Sequence, residues 1–156
     1  MTHAPPQLDQ ELQRRLLGAA LKTYNHAYCP YSGFPVGAAV ATRHGGLFAG
    51  CNVENAAYPL GTCAEASALS VMMSSGDPGP LVASLIIGGH PGKQDVCTPC
   101  GGCRQRLREF ANDDLPCLFY SLDRDKTPVL RLQLTLGTLL PHAFDSAHLS
   151  HPSGSS

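Results

Sequence analysis

The chain has 156 residues, of which 43% are hydrophobic and 15% are charged, a composition typical of one globular domain with a buried core. Its net charge of -1, without a Lys/Arg run, argues against capture of polynucleotides by their phosphates. No apolar stretch approaches the roughly 20 residues that cross a bilayer. No secretory signal opens the chain, and its seven cysteines form an odd set that suits reduced thiols, so we expect a cytoplasmic protein.

The first third of the chain predicts one helix followed by a β-hairpin. Apolar residues recur at helical spacing over residues 8–27, and Pro30 ends this pattern. A short apolar run at 34–41 predicts a strand, and the pair Gly45-Gly46 predicts a turn. The strand that returns from this turn is predicted at 47–51.

The rest of the chain alternates further helices and strands. We expect a helix at 63–74 with Thr62 as its N-cap, and a strand at 81–87 that is buried on both faces. The remaining elements are a helix at 102–111, strands at 117–122 and 129–134, and a short helix at 137–140. This order predicts a single α/β domain with helices on the faces of one sheet.

Three cysteines and one glutamate carry the chemistry that the sequence predicts. The segment Cys63-Ala-Glu65 stands upstream of Pro99-Cys100-Gly-Gly-Cys103. Cys63 and Cys100 would each begin a helix, whose partial positive charge stabilises a thiolate. Three thiolates leave one position of a tetrahedral Zn²⁺ open, as a catalytic site requires. The metal would lower the pKa of a water in that position, and Glu65 would move protons without being a ligand.

Other interpretations of these residues explain less of the pattern. Cys100-Gly-Gly-Cys103 could be a redox pair, but the strand that directly precedes such a pair in thioredoxin-like proteins is missing. A structural zinc site needs a fourth protein ligand, and no other Cys or His stands at a persuasive spacing. Cys97 precedes Cys100 by three positions, but Thr98-Pro99 favours an extended approach to the helix instead. Glu65 could be a solvated carboxylate, an interpretation that the three neighbouring thiols make less favourable.

The chain resembles the small homotetrameric cytidine deaminases over residues 8–149. The resemblance goes beyond the C-A-E and P-C-x-x-C pattern that zinc deaminases share. It is carried by Ala27-Tyr-Cys-Pro-Tyr-Ser-Gly-Phe-Pro-Val-Gly-Ala38, Gly50-Cys-Asn-Val-Glu-Asn-Ala-Ala-Tyr-Pro59, Thr62-Cys-Ala-Glu65, Pro99-Cys-Gly-Gly-Cys-Arg-Gln105 and Leu139-Leu-Pro-His-Ala-Phe144. It implies one three-layer α-β-α domain over residues 1–149 with a mixed five-stranded sheet, one Zn²⁺ per chain and a homotetramer. We expect residues 150–156 to form a disordered tail.

The resemblance implies the three motif cysteines as zinc ligands and Glu65 as the proton shuttle. One neighbouring position departs from the family, which commonly has Arg directly after the catalytic Glu. That Arg hydrogen-bonds ligand thiolates and offsets their charge, whereas this chain has Ala66. Either another cation takes this role, Arg104 being the nearest in sequence to a ligand, or the site is more electron-rich.

Asn52 and Glu54 are implied to hold the ribose hydroxyls, and Phe34 to form a wall of the base pocket. Asn52 and Glu54 alternate, so on an extended segment both side chains point to one face. A carboxylate that accepts from a sugar hydroxyl makes a charge-assisted bond, and a free base has no such hydroxyl. Without the resemblance, a polar strand end is a less favoured alternative for the pair, and Phe34 could equally be a core residue.

Two further implied contacts depend on backbone position or on assembly. Ala64 would contribute to the substrate site through its backbone, and Phe144 would reach the site of a neighbouring subunit. Tyr31 and Tyr58 flank the same motifs, and they could line either the pocket or a subunit interface.

Together these features predict the hydrolytic deamination of cytidine and 2′-deoxycytidine in pyrimidine salvage, with a free nucleoside as substrate. The alternative is a deaminase of a modified cytosine nucleoside, such as a nucleoside antibiotic, which Ala66 makes more plausible. A non-catalytic zinc-binding assembly protein is disfavoured by the presence of Glu65. Polynucleotides are disfavoured as substrates by the charge balance, and nucleotides by the lack of an evident phosphate site.

Overall fold

The first helix lies over one face of the sheet and is shorter than the sequence pattern predicts. In the computed structural model, residues 6–149 are described, and the predicted tail at 150–156 lies outside them. Helix α1 spans Gln10–Tyr24, and the Asp9 side chain caps it by accepting from the Leu12 amide at 3.0 Å. The helix ends at Tyr24, well before Pro30, because Asn25 takes the C-cap position.

Five strands form one mixed sheet in the order β2-β1-β3-β4-β5. Their bounds are β1 Val36–Thr42, β2 Leu47–Cys51, β3 Leu81–Gly88, β4 Pro116–Leu122 and β5 Pro128–Thr135. Strands β3 and β4 run parallel, and every other neighbouring pair is antiparallel. A parallel pair needs a crossover, which here contains a helix. The mixed five-stranded sheet is therefore confirmed.

Helices cover both faces of the sheet. Helix α2 spans Ala64–Ser74, α3 spans Gly101–Glu109, and the short α4, Leu136–Leu139, directly follows β5. Buried side chains of α1 pack in one hydrophobic cluster with one face of the sheet, and those of α2 and α3 pack in a second cluster with the other face. The domain thus has the predicted three layers. Within the described residues, no helix is long and apolar enough to cross a membrane.

Strand β3 lies at the centre of this arrangement, and its side chains serve both layers. Leu85 and Ile87 belong to the cluster on the α1 side, whereas Ile86 belongs to the cluster on the α2 and α3 side. All three are fully buried. Because successive side chains of a strand point to opposite faces, a continuous apolar run is what a doubly covered strand requires. The predicted burial of both faces is confirmed.

Two glycines allow helices to approach the sheet closely. A Cβ at Gly37 would stand 2.1 Å from the Ala20 carbonyl oxygen of α1. A Cβ at Gly50 would stand 2.5 Å from the backbone nitrogen of Ala68 in α2. Any side chain at these positions would push a helix outward, so the close spacing of the layers requires glycine at both positions.

Candidate active site

The N-termini of α2 and α3 bring the three motif cysteines together. Cys63 and Cys100 are the N-cap residues of these helices, both in extended backbone conformation and without a side-chain capping bond. Cys103 follows on the first turn of α3 and is fully buried. Their sulfur atoms all lie within 4.8 Å of one another. The two helices thus deliver three thiols to one point.

The predicted cap at Thr62 is wrong, since Cys63 takes that position in α2. Thr62 instead exchanges two backbone hydrogen bonds of 2.9 Å with Val53. An N-cap residue normally satisfies helix N–H groups with its side-chain oxygen. Here the N-cap side chain is a thiol that makes no such bond, so its sulfur stays available as a ligand.

The cysteine cluster fits one zinc ion. Tetrahedral coordination with Zn–S bonds of about 2.3 Å places neighbouring sulfurs about 3.8 Å apart. The Cys63 and Cys100 sulfurs are 3.9 Å apart. Among the described residues no fourth ligand belongs to the cluster, so a bound ion would keep the open position of a catalytic site.

The three thiols differ in whether their surroundings raise or lower their pKa. Burial raises the pKa of Cys63 and of Cys103, so these two sulfurs need a metal cation to stay deprotonated. At Cys100, partial burial acts in the same direction, but hydrogen bonds from the Cys103 backbone and from the neighbouring thiols outweigh it and lower the pKa. The helix N-terminus thus favours one thiolate before any metal is bound.

Glu65 lies beside this cluster in a cavity of about 300 Å³. It is the second residue of α2, and only 5% of its surface is exposed. Ala64, Cys63 and Cys100 line the same cavity, whereas Cys103 lies behind them in the core. A nearly buried carboxylate that shares a cavity with two of the three clustered thiols is well placed to exchange protons with a molecule bound there.

Asn52 and Glu54 also line this cavity, together with the intervening Val53. Their segment is held from both sides. The Asn52 carbonyl accepts from the Tyr28 amide at 3.0 Å, and the Glu54 amide donates to the Tyr28 carbonyl at 2.8 Å. Val53 bonds to Thr62, directly before Cys63. The segment is thus fixed between the loop after α1 and the approach to α2.

The Asn52 side chain clamps the backbone on both sides of Pro35. Its Oδ1 accepts from the Val36 amide, and its Nδ2 donates to the Phe34 carbonyl, both at 2.9 Å. The amide group retains one N–H and one acceptor position for a ligand. Asn52 therefore organises this edge of the cavity in addition to any contact with a sugar.

Ser32 is a residue that the sequence did not single out. Its hydroxyl donates a short hydrogen bond to Oε1 of Glu54, while the Tyr31 and Ser32 amides donate to Oε2 at 2.9 and 3.1 Å. The Ser32 hydroxyl, with these backbone amides, lowers the pKa of Glu54 and keeps it ionised. Only the turn-forming character of the Tyr-Ser-Gly segment could have drawn attention to it.

The two aromatic residues of the prediction do not line this cavity in the single chain. Phe34 lies edge-on to His90, with ring centres 6.3 Å apart, and is 37% exposed. Phe144 is 55% exposed and stacks on His148 at 5.1 Å. Gln105 of α3 donates to the Phe144 carbonyl at 2.7 Å. Their roles therefore stay predictions.

Arg104 does not offset the thiolate charge by bonding to the sulfurs. Its Nε donates to the Pro99 carbonyl and its Nη1 to the Leu139 carbonyl, each at 2.8 Å. Its third contact is a 3.5 Å hydrogen bond to the Thr98 hydroxyl. Arg104 thus ties the segment before Cys100 to the end of α4, a positioning task that the sequence did not predict.

Cys97 and a larger groove lie outside the cysteine cluster. Cys97 lines the cavity without belonging to the sulfur cluster, and burial, with the nearby Glu65 and Cys63 charges, raises its pKa to about 11. A larger groove of about 780 Å³ includes Arg108 and Asp145 among its lining residues but none of the predicted site residues. The predicted residues Cys63, Glu65 and Cys100 instead meet at the smaller cavity.

The fold and this site define a metalloenzyme whose metal would keep one coordination position open beside a buried carboxylate. The family model for the cytidine and deoxycytidylate deaminase zinc-binding region matches residues 10–118. The chain therefore belongs to the cytidine and deoxycytidylate deaminase family.

Individual relatives agree with this assignment over nearly the whole chain. A cytidine deaminase from Sporosarcina psychrophila is 36% identical over 88% of this chain and 94% of its own length. A cytidine deaminase from Mycobacterium tuberculosis is 38% identical over 89% and 92%, respectively. The crystal structure of the Burkholderia pseudomallei cytidine deaminase, 37% identical, superposes with a TM-score of 0.71 over 84% of this chain and 98% of that one. The fold expected from the resemblance is confirmed.

Proposed function

We propose that this chain catalyses the hydrolytic deamination of cytidine and 2′-deoxycytidine, which yields uridine or 2′-deoxyuridine and ammonia. One observation carries the proposal. A single cavity of about 300 Å³ joins the cluster that fits zinc, the buried Glu65 and the hydrogen-bonding pair Asn52 and Glu54. A modified cytosine nucleoside is not favoured as the substrate, because the relatives are named cytidine deaminases.

In this proposal Cys63, Cys100 and Cys103 hold the metal. When bound, Zn²⁺ supplies a water that is acidic enough to act as a nucleophile near neutral pH. Glu65 takes a proton from the attacking water and delivers it to ring N3. It then takes the proton of the hydroxyl group added at C4 and gives it to the amine, which leaves as ammonia while the C4 carbonyl forms. Water is thus added, and the C4–N bond breaks. The free N–H groups at the start of α2, next to Ala64, face the developing charge.

Asn52 and Glu54 bind the ribose end of the substrate. Hydrogen bonds from Ser32 and Tyr31 hold the Glu54 carboxylate in place, and it retains lone pairs for a sugar hydroxyl. A charge-assisted bond of this kind favours a nucleoside over free cytosine. Phe34 is proposed to contact the base once a ligand is present.

We propose that the active particle is a homotetramer in which Phe144 completes the site of a neighbouring subunit. Two features support this. Phe144 is half exposed and absent from the cavity of its own chain. Tyr31 and Tyr58 are also exposed, with ring centres 5.9 Å apart, and they line a neighbouring pocket that shares Glu54 and Gly61 with this cavity. Contiguous exposed apolar side chains commonly mark an interface.

Two further proposals concern the whole chain. Residues 1–149 are proposed to form one deaminase domain, a proposal that is supported by the packing of α1–α4 in two hydrophobic clusters with a single sheet. The protein works in the cytoplasm, which the seven free cysteines support because thiols persist in a reducing compartment.

An absorbance assay of the purified protein on cytidine, 2′-deoxycytidine, cytosine and cytidine monophosphate tests the substrate. We expect turnover of the two nucleosides and little of the base or the nucleotide. The variant Glu65→Ala is the matched control and should retain zinc and the fold while losing activity by about 10²–10⁴-fold. Substantial activity in that variant, or no nucleoside turnover by protein that holds one zinc per chain, would contradict the proposal.

A further inference from the structure

The zinc site needs a nearby cation that its immediate sequence neighbours do not supply. Three thiolates around one Zn²⁺ leave a net charge of minus one, which a positive group beside the sulfurs would stabilise. Ala66 offers no charge, and the guanidinium of Arg104 is engaged by the Pro99 and Leu139 carbonyls. A cation that offsets the sulfur charge would therefore come from elsewhere in the fold.

Arg106 lies in a suitable place. It stands one turn after Gly102 on α3, and long helical side chains point back toward the N-terminus of their helix. The point where a Cβ of Gly102 would stand is 2.9 Å from Nη1 of Arg106 and 4.0 Å from the sulfur of Cys100. Both atoms thus flank the space that Gly102 leaves open. Cys100 is the exposed member of the cysteine cluster, whereas Cys63 is half-buried and Cys103 is buried, so a charged side chain can approach the Cys100 sulfur from the solvent side.

The other contacts of α3 leave the Arg106 guanidinium available to the Cys100 sulfur. Arg106 makes no ion pair or hydrogen bond within residues 6–149. The next arginine, Arg108, is paired with Asp113 and Asp145 at 3.2 and 2.9 Å. An arginine that is not engaged by a carboxylate keeps its full charge available to a neighbouring anion.

We infer that Arg106 is the charge-compensating residue of the zinc site, acting through Cys100 and taking the place of the cation missing at Ala66. It contacts neither the substrate nor the reacting atoms, so it is a positioning residue. The inference rests on the zinc ligands proposed above. It also gives a reason for Gly102, because a side chain there would fill the space in which the guanidinium lies.

Zinc affinity, measured by competition with a chromogenic chelator at pH 6.0, tests this inference without any activity assay. Metal binding displaces thiol protons and creates the net negative charge that Arg106 stabilises. We expect Arg106→Gln to weaken zinc binding by about threefold to tenfold, and Arg106→Glu to weaken it further. Arg106→Lys should restore most of the affinity. Salt at about 1 M should narrow the difference between the wild type and Arg106→Gln.

Arg15 supplies the matched control. It is an exposed arginine of α1, on the opposite face of the sheet, so Arg15→Gln makes the same chemical change far from the metal. We expect its zinc affinity to equal that of the wild type. Equal affinities for the wild type, Arg106→Gln and Arg106→Glu would overturn the inference while leaving the zinc site intact. A wild-type protein without one equivalent of zinc would instead contradict the proposed function.

Discussion

The variant Gly50→Ala tests how the position of α2 affects activity, because it changes none of the predicted site residues. A Cβ at this position of β2 would stand 2.5 Å from the Ala68 nitrogen and from the Ser67 Cβ. Ordinary contact begins at 3.4 Å, so Gly50→Ala must move α2 outward by about 0.9 Å. That helix carries Cys63 at its N-cap and Glu65 on its first turn. The substitution therefore displaces the predicted proton shuttle without altering it.

Both the stability and the rate should respond. Overpacking of this kind costs about 1–3 kcal/mol, which lowers Tm by roughly 3–10 °C in a domain of this size. A displacement near 1 Å in a catalytic group costs about 10²-fold in rate. Thermal unfolding and steady-state uridine formation measure the two effects in one preparation of Gly50→Ala.

Gly18→Ala is the matched control within the same chain. Gly18 lies inside α1, and a Cβ there would meet nothing within 4 Å. The alanine should stabilise the protein by about 1 kcal/mol, because glycine is the poorer helix former, and kcat should not change. If Gly50→Ala also kept the wild-type kcat and Tm, the close approach of α2 to the sheet would not be what positions Glu65.

Three further outcomes follow from single contacts. Ser32→Ala removes the main hydrogen bond that lowers the pKa of Glu54, so KM for cytidine should rise while kcat changes little in steady-state kinetics. The pKa of Glu54 is lower in the folded protein than its ordinary value of 4.5, so its contribution to stability is present above pH 4.5 and is lost as the pH falls through the folded-state value. The difference in Tm between the wild type and Glu54→Gln should therefore shrink below about pH 4.5. Phe144→Ala should lower kcat/KM by about threefold to tenfold with zinc content unchanged, and a fully active monomer in sedimentation would contradict the shared site.

The sequence by itself determined the chemistry and most of the elements. The three cysteines and Glu65 could be predicted as site residues because the roles proposed for them depend on residue type and local spacing, which the chain order preserves. Cys100 and Cys103 are three positions apart, so one helical turn suffices to face them the same way. The buried strand β3 could also be predicted from the sequence, because an uninterrupted apolar run fits a strand that helices cover on both faces.

Contacts between distant segments were decided by the tertiary structure alone. Sequence order placed Arg104 nearest to a ligand, whereas packing turns its guanidinium onto backbone carbonyls and lays Arg106 beside Cys100. The bond from Ser32 to Glu54 joins residues 22 positions apart and forms only because two loops meet. Where a long side chain comes to rest depends on the space and the acceptors around it, and these are supplied by other segments of the folded chain. Spacing along the chain can predict which atoms are reactive, but not which neighbours hold them in place.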